Sequence, residues 1–286
     1  MPIERSTIEA WLREDLGHHD VTNDVPGETT GRLVAKEAGV TAGLDAAAAV
    51  FEYLDIEVTD RLADGTTIES GDPLLSVSGT ATDVLRGERV ATNVAGHASG
   101  IATRTRRAVE AARSVSESVR IAGTRKTTPG LRGLEKRAIA AGGGDTHRLD
   151  LSHMVMVKDN HVAELGVEAA IERFRDRASF ATRIEVEAED PAMAERAAAA
   201  GADVVLLDNM EPETVERAIE AIAATEEPES IGDGVLTEAS GGIGLEDVPE
   251  YAATGVDVIS MGSLTHSAPA LDLSFRTGRI GGDSDR

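Results

Sequence analysis

Five side chains able to do polar chemistry stand close together in the middle of the chain. Arg125 and Lys126 sit in "GTRKTTPG", His147 and Arg148 in "GDTHRLDL", and Lys158 follows in "MVKDN". Between Arg125 and Lys158 there are seven basic residues against three acidic ones, although the chain as a whole has 28 Lys plus Arg against 51 Asp plus Glu and a net charge of -23. Cations gathered in one place are costly unless anions match them. The protein's own carboxylates would serve if they faced the cluster at close range; a small anionic ligand is the simpler answer. Arg offers a planar fork to carboxylate or phosphate, and Lys a compact point charge. Further along, Glu187 in "EVEAED" and Asp208 in "VVLLDNM" bring hard oxygen donors suited to Mg²⁺ or to ribose hydroxyls. Ser240, Gly241 and Gly242 in "ASGGIG", and Gly262 in "MGSLTH", offer bare backbone N–H groups to an anion, or else serve only as tight turns.

These residues need a frame, and the second half of the chain alternates regularly enough to supply one. "TRIEVEAE" (182–189), "DVVLLDNM" (203–210), "GVLTEASGGI" (234–243) and "DVISMGSLT" (257–265) read as strands. Between them lie helical stretches, two opened by an acid followed by proline: Asp190-Pro191 and Glu211-Pro212. The third, "GLEDVPEYAATG", is expected to run as a helix from Leu245. "AAAAGADVVLLD" and "YAATGVDVISMG" look like two copies of one helix-turn-strand unit. "ESVRIAGTRK" and "LSHMVMVKDN" fit two earlier strands, and polar residues gather at the carboxyl end of all six. In a (β/α) barrel that rim is where ligands bind, and adjacent loops after the last strands are a common phosphate site.

The first hundred residues read differently. "GRLVAKEAGVTAGLDAAAAVFEYL" implies a strand, a glycine turn and a helix, and "TTIESGDPLLSVSGTATDVL" an antiparallel hairpin turning at Gly71-Asp72. A helical pattern runs from about Leu85 to Ala112. The expected organisation is an N-terminal α/β domain over 1–109, joined by the C-terminal segment 270–286 through "PALDLSF", and an α/β barrel over 110–269. "TEEPESIGDG" reads as an acidic surface loop.

Composition narrows the function classes. With no cysteine there is no disulfide, thiolate metal site or cysteine nucleophile. Aromatic residues at 2 % give no base-stacking platform, and a charge of -23 disfavours a nucleic-acid backbone. No apolar run approaches membrane-span length, and the charged N-terminus lacks a signal-peptide core, so the expected setting is cytoplasmic. Dispersed acidity with 24 arginines against four lysines suits a halophile's salt-rich interior. His18-His19 reads as a polar turn rather than a metal pair, because adjacent side chains point apart. His97 and His153 read as helix and loop structure, Arg104, Arg106 and Arg107 as a solvated or interface face, and Trp11 as the anchor of an N-terminal helix.

The stretch "GTRKTTPGLRGLEKRAIAAGGGDTHRLDLSHMVMVKDNH" closely resembles the signature of the quinolinate phosphoribosyltransferase family, the carboxylating nicotinate-nucleotide pyrophosphorylases. The likeness includes "LREDLGHHDVT", "GERVATNVAGHASGIAT", "EVEAED", "GADVVLLDNM", "EASGGI" and "GVDVISMGSLTHSAPALDLS". It implies an N-terminal α/β sandwich domain on an open (β/α) barrel of the type II phosphoribosyltransferase kind. It implies a homodimer in which one subunit's N-terminal domain caps its neighbour's site. The implied reaction joins quinolinate to phosphoribosyl pyrophosphate with Mg²⁺ and gives nicotinate mononucleotide, CO₂ and pyrophosphate, a step of NAD biosynthesis. By motif match, Thr124, Arg125, His147, Arg148 and Lys158 would line the quinolinate pocket, with Arg89 reaching in from the other subunit. Lys126, Glu187 and Asp208 would face ribose, pyrophosphate and metal, and Ser240, Gly241, Gly262 and His266 the phosphate. Many members carry Asp where this chain has Gly123, which leaves fine details of the pocket open. A molybdenum-locus branch shares the same core. The rivals outside the family are a Schiff-base aldolase built on Lys158 and a non-catalytic anion-binding barrel.

Overall fold

The computed structural model describes residues 3–225 and 234–278, so the acidic loop read from "TEEPESIGDG" lies almost wholly outside the described residues. The chain opens with α1 (Arg5–Leu16), β1 (Glu28–Ala35), β2 (Gly39–Val40), α2 (Leu44–Tyr53), β3 (Glu57–Arg61), β4 (Thr67–Ile68) and β5 (Pro73–Thr80). A long helix, α3 (Ala81–Arg113), leads to β6 (Arg120–Ala122) and α4 (Arg132–Ala141). Strands and helices then alternate: β7 (Val155–Val157), α5 (Asp159–Leu165), α6 (Val167–Arg175), β8 (Ile184–Ala188), α7 (Pro191–Ala199), β9 (Val204–Asp208) and α8 (Pro212–Ala223). β10 (Leu236–Ser240), α9 (Val248–Ala253), β11 (Val258–Ser260), α10 (Ser263–His266) and β12 (Leu273–Thr277) complete the series. No described helix is long and apolar enough to cross a membrane.

The elements divide into two compact units. The first comprises Met1–Arg106, Thr128–Gly143 and Ser267–Arg286, the second Arg107–Thr127 and Gly144–His266. The segment 128–143, expected within the barrel, therefore groups with the first unit. Its helix α4 buries Leu134, Ala138 and Ile139 against Val40, Ala42, Ala98 and Ile101, a partner choice that local sequence does not encode.

In the first unit an antiparallel sheet runs in the order β12-β1-β5-β3, and β2 pairs with β4. The hairpin expected around Gly71 is not formed. Gly71 does turn the chain, at φ +100°, but β4 joins β2 while β5 joins β1 and β3. Alternation identifies both strands without naming their partners. β12 pairs with β1 from Gly31↔Thr277 to Ala35↔Leu273, and Leu271 and Leu273 enter the core around Phe51. Glycine is a poor helix former, yet α3 carries Gly96 and Gly100. A Cβ at Gly100 would run into the carbonyl of Pro269, so the bare helix surface is what lets the 269–271 segment lie against it.

The second unit is a six-stranded sheet in the order β6-β11-β10-β9-β8-β7. Its strand pairs are parallel. β6 and β7 are its outermost strands, β6 met on its outer side only by an isolated parallel bridge from Ala122 to Asp145, the arrangement of an open barrel. Side chains alternate across each strand. Val157, Ile184, Val186, Val205, Leu207, Ala239 and Ile259 join the apolar core that Ala194, Ala197, Val215, Ala218 and Ile222 of α7 and α8 complete. The other face carries the charged and polar residues Lys158, Glu185, Glu187, Asp208, Glu238 and Ser240, with Met156 and Leu206 among them. α7 starts as its sequence predicts, with the Asp190 carboxylate accepting Met193 N–H at 2.8 Å and Pro191 in the first turn.

Candidate active site

A cavity of about 530 Å³ opens in the second unit among the carboxyl ends of its strands. It is lined by Thr124, Arg125, Lys126, His147, Arg148, Lys158, Glu187, Asp208, Ser240, Gly241, Gly262 and His266. Twelve of the thirteen residues singled out in the sequence thus meet at one place. The thirteenth, Arg89, lies on α3 in the first unit, its side chain 61 % exposed and 3.9 Å from Glu88. Gly242, read in the sequence as part of the anion-facing glycine loop, lines the cavity too, as do Glu238, Met156 and Ser263, which were not singled out as site residues.

The loop after β6 is braced by two threonines, its own Thr124 and Thr265 of α10. Thr124 Oγ1 accepts the Lys126 N–H at 3.0 Å, and Thr265 Oγ1 donates to the Lys126 carbonyl at 2.6 Å. A Cβ on Gly262 would press on Lys126 Cδ and His266 Nε2, so glycine there leaves both side chains room. Gly241 and Gly242 have φ +106° and +66°. Both values favour glycine, and a side chain at Gly241 would also collide with Asn209. The helix expected from Leu245 begins only at Val248. Any anion here would therefore meet the glycine loop itself rather than a helix N-terminus. Asn209, also left-handed at φ +53°, donates from Nδ2 to Asp208 Oδ2 at 2.7 Å and so steadies that carboxylate.

Charge pairing inside the cavity is uneven. Lys158 Nζ and Glu187 Oε2 lie 2.5 Å apart. His147 Nε2 is 2.9 Å from Glu238 Oε2 and 3.6 Å from Glu185 Oε1. The shorter distance is a hydrogen bond; the longer is an ion pair outside hydrogen-bond reach. Accordingly, both Glu185 oxygens are buried without a hydrogen-bond partner. Burial alone would push the His147 ring down, but the Glu185 and Glu238 carboxylates outweigh it and hold its pKa up at about 10. Burial pushes Glu185 up, with the Glu238 charge adding to the effect. His147 also has φ +52°, an uncommon backbone for a non-glycine residue, with its N–H bonded to Asp145 Oδ1 at 2.6 Å.

Two arginines are left over. Arg148 is buried, donates from Nη2 to Met156 Sδ at 2.7 Å, and is pushed down by desolvation. Arg125 Nε is buried without a hydrogen-bond partner. Among the described residues, no carboxylate forms an ion pair with either one. The protein's own acids thus account for part of the basic cluster and stop short of its two guanidiniums.

Two acidic groups could hold a divalent cation. Glu187 and Asp208 stand on neighbouring strands at the cavity mouth, an all-oxygen pair suited to a hard ion. His147, Glu185 and Glu238 place their ligand atoms within 4.8 Å of one another, but there the histidine N–H already sits between the two carboxylates. Elsewhere, Arg106 donates to the Gly142 carbonyl at 3.0 Å and to Ala141 at 3.4 Å, capping α4, so it is not part of a solvated face. His97 holds the buried Glu135 at 2.9 Å, His18 and His19 are exposed, and Trp11 of α1 packs on the first unit's core.

Comparison with known proteins extends the likeness to the whole chain. The quinolinate phosphoribosyl transferase N-terminal domain model matches residues 19–99, and the C-terminal domain model residues 101–276. A probable carboxylating nicotinate-nucleotide pyrophosphorylase of Methanothermobacter thermautotrophicus is 45 % identical over 273 residues, covering 94 % of this chain and 96 % of that protein. The carboxylating nicotinate-nucleotide pyrophosphorylase of Homo sapiens is 42 % identical over 273 residues, covering 94 % and 90 %. The crystal structure of NadC from Streptococcus pyogenes superposes with a TM-score of 0.87 at 40 % identity, covering 96 % of each chain. With both domain models matched in order and relatives aligned over 94 % of its length, the chain belongs to the quinolinate phosphoribosyl transferase family.

Proposed function

We propose that this chain transfers the phosphoribosyl group of phosphoribosyl pyrophosphate to the ring nitrogen of quinolinate, with loss of CO₂ and pyrophosphate, to give nicotinate mononucleotide. The observation that carries the reading is the pair Arg125, half-buried with its Nε enclosed, and Arg148, buried, neither in an ion pair with a carboxylate among the described residues. Quinolinate is a dianion, and two guanidiniums each offer a planar fork to one carboxylate. Lys158 joins them when it exchanges Glu187 for the substrate.

Glu187 and Asp208 then face the ribose, and their donor set fits Mg²⁺. A bound Mg²⁺ would supply charge neutralisation at the departing pyrophosphate oxygens. Lys126, at the same mouth, stabilises those oxygens as a fixed cation. As the C1–O bond breaks, the sugar becomes oxocarbenium-like, and the negative edge of Asp208 steadies it while the ring nitrogen attacks. The glycine loop at Gly241 and Gly242 holds the 5′-phosphate through backbone N–H groups. With the nitrogen quaternary, the C2–carboxylate bond breaks heterolytically, CO₂ leaves, and the electron pair stays on C2 beside N⁺ until a proton replaces it. The protein orients the dianion and excludes water during these steps. Lys158 lies 2.5 Å from Glu187 in an ion pair and not as the isolated strand amine on which a Schiff-base aldolase is built.

The active form we propose is a homodimer, with Arg89 of each copy serving the other's cavity. Turnover of quinolinate with phosphoribosyl pyrophosphate and Mg²⁺ in concentrated KCl should release nicotinate mononucleotide and CO₂ in equal amounts. Lys126→Ala should cut kcat by roughly a hundredfold or more, the scale seen when a charge-stabilising donor is removed. Binding of both substrates without CO₂ would leave only the anion-binding barrel. Absence of binding would remove the reading altogether.

A further inference from the structure

We propose that Ser260 is a positioning residue for Ser240: by donating to the Ser240 hydroxyl oxygen it fixes that side chain and leaves its proton for the phosphomonoester of the sugar substrate. The inference rests on the glycine loop being the phosphate subsite.

Strand register brings the two serines together. β10 and β11 are parallel neighbours in which Ser240 stands opposite Ser260. Each is the last residue of its strand, Ser240 just before Gly241 and Gly242, Ser260 two residues before Gly262. Ser260 Oγ donates to Ser240 Oγ at 2.9 Å. Ser260 is 3 % exposed and Ser240 half-buried, and both line the cavity. The residues on either side of Ser260, Ile259 and Met261, belong to the apolar core. A hydroxyl enclosed in such a place costs free energy unless it is hydrogen-bonded, and Ser240 is the side chain that receives its proton.

The direction of this bond decides what Ser240 can offer. A serine hydroxyl has one proton to give and two lone pairs to share, and an anion can use only the proton. An unconstrained serine at a cavity wall moves among staggered positions and turns its lone pairs toward a ligand as readily as its proton. Here a lone pair of Ser240 Oγ is taken by Ser260, and the Asn209 backbone N–H donates to the Ser240 carbonyl at 2.8 Å. Both oxygens of Ser240 thus already accept from the protein. Among the described residues, none accepts the Ser240 proton. Gly241 and Gly242 follow without side chains, so Ser240 is the one side-chain donor of this three-residue loop. A phosphomonoester that meets the loop N–H groups gains a hydroxyl donor whose aim is set before binding, which spares the cost of ordering it then.

The test uses ribose 5-phosphate, which carries the phosphomonoester without the pyrophosphate, and follows its binding to the whole chain by titration calorimetry. Ser240→Ala should weaken binding about tenfold or more, as for a lost hydrogen bond to a charged group. Ser260→Ala should weaken it roughly threefold to tenfold, the size of one neutral hydrogen bond, while binding of quinolinate alone stays within about twofold. The double variant should bind no worse than Ser240→Ala, because Ser260 acts through Ser240. Ser260→Cys keeps the size of the side chain with only a weak donor and should fall between the wild type and Ser260→Ala. It carries the same comparison if Ser260→Ala does not fold. A Ser260 variant that weakens both ligands alike, or adds its full loss to Ser240→Ala, reveals a packing role and overturns the inference. So does ribose 5-phosphate binding that Ser240→Ala loses and the Ser260 variants keep, a result that leaves the phosphate subsite standing. Ribose 5-phosphate that binds Ser240→Ala as tightly as the wild type, or binds neither, removes the subsite and the inference with it.

Discussion

The buried carboxylates beside His147 hold its pKa well above the ordinary histidine value, and the sign of its effect on stability follows. Its folded pKa, about 10, lies above the ordinary histidine value of 6.5. The stabilisation it contributes is therefore complete below about pH 6.5 and is lost as pH rises toward 10. Thermal unfolding followed from pH 6 to pH 10 should show a falling Tm in the wild type and a flatter profile in His147→Asn. The basic residues of this site were legible in the sequence because an acidic chain had no other reason to gather them. Glu185 and Glu238 were visible only as polar strand ends. What was missing was the loop path that carries His147 to them, since a left-handed φ at histidine leaves no local signature. Lys158 and Glu187 were both singled out, for different tasks; that each is the other's resting partner depends on a distance between strands that sequence does not state.

Among the elements, α7 gives the cleanest link from residue type to local structure. Its Asp190 cap and Pro191 were readable in advance, and both stand where a helix start needs them. Asp190→Ala should lower stability by about 1 kcal/mol through the lost cap while leaving kcat unchanged, as urea unfolding and a turnover assay on one preparation would show. The six barrel strands were equally readable, because apolar runs and polar ends recur at even spacing. The failures came where an element's partner is distant. Nothing within "TTIESGDPLLSV" says that its two strands join different sheets. Nothing within α4 says that its apolar side belongs with the first unit, because amphipathicity names a face and not the surface it meets. The glycine loop shows the same limit: its composition was plain, but whether a helix began at Leu245 or three residues later was decided by the turn at Gly241 and Gly242.

At the scale of the whole molecule, the proposed role of Arg89 requires a second copy of the chain. It is exposed on α3, in the first unit, while the cavity lies in the second. Inactive Arg89→Ala and inactive Lys126→Ala proteins, unfolded together and refolded as a mixture, should recover activity, because some dimers would pair an intact Arg89 with an intact Lys126. Recovery absent under conditions that restore the wild type would return Arg89 to the surface. A different consequence follows from β12, whose partner β1 is some 240 residues away, Gly31 facing Thr277. During synthesis β1 leaves the ribosome some 240 residues before β12 and waits with one edge unpaired until that strand has been made. An open edge is a template for unwanted pairing. The second unit's segments lie between the two strands in the chain, so all of that unit is made while the edge is bare. Crowding and holdase chaperones would act most strongly on this protein before its release.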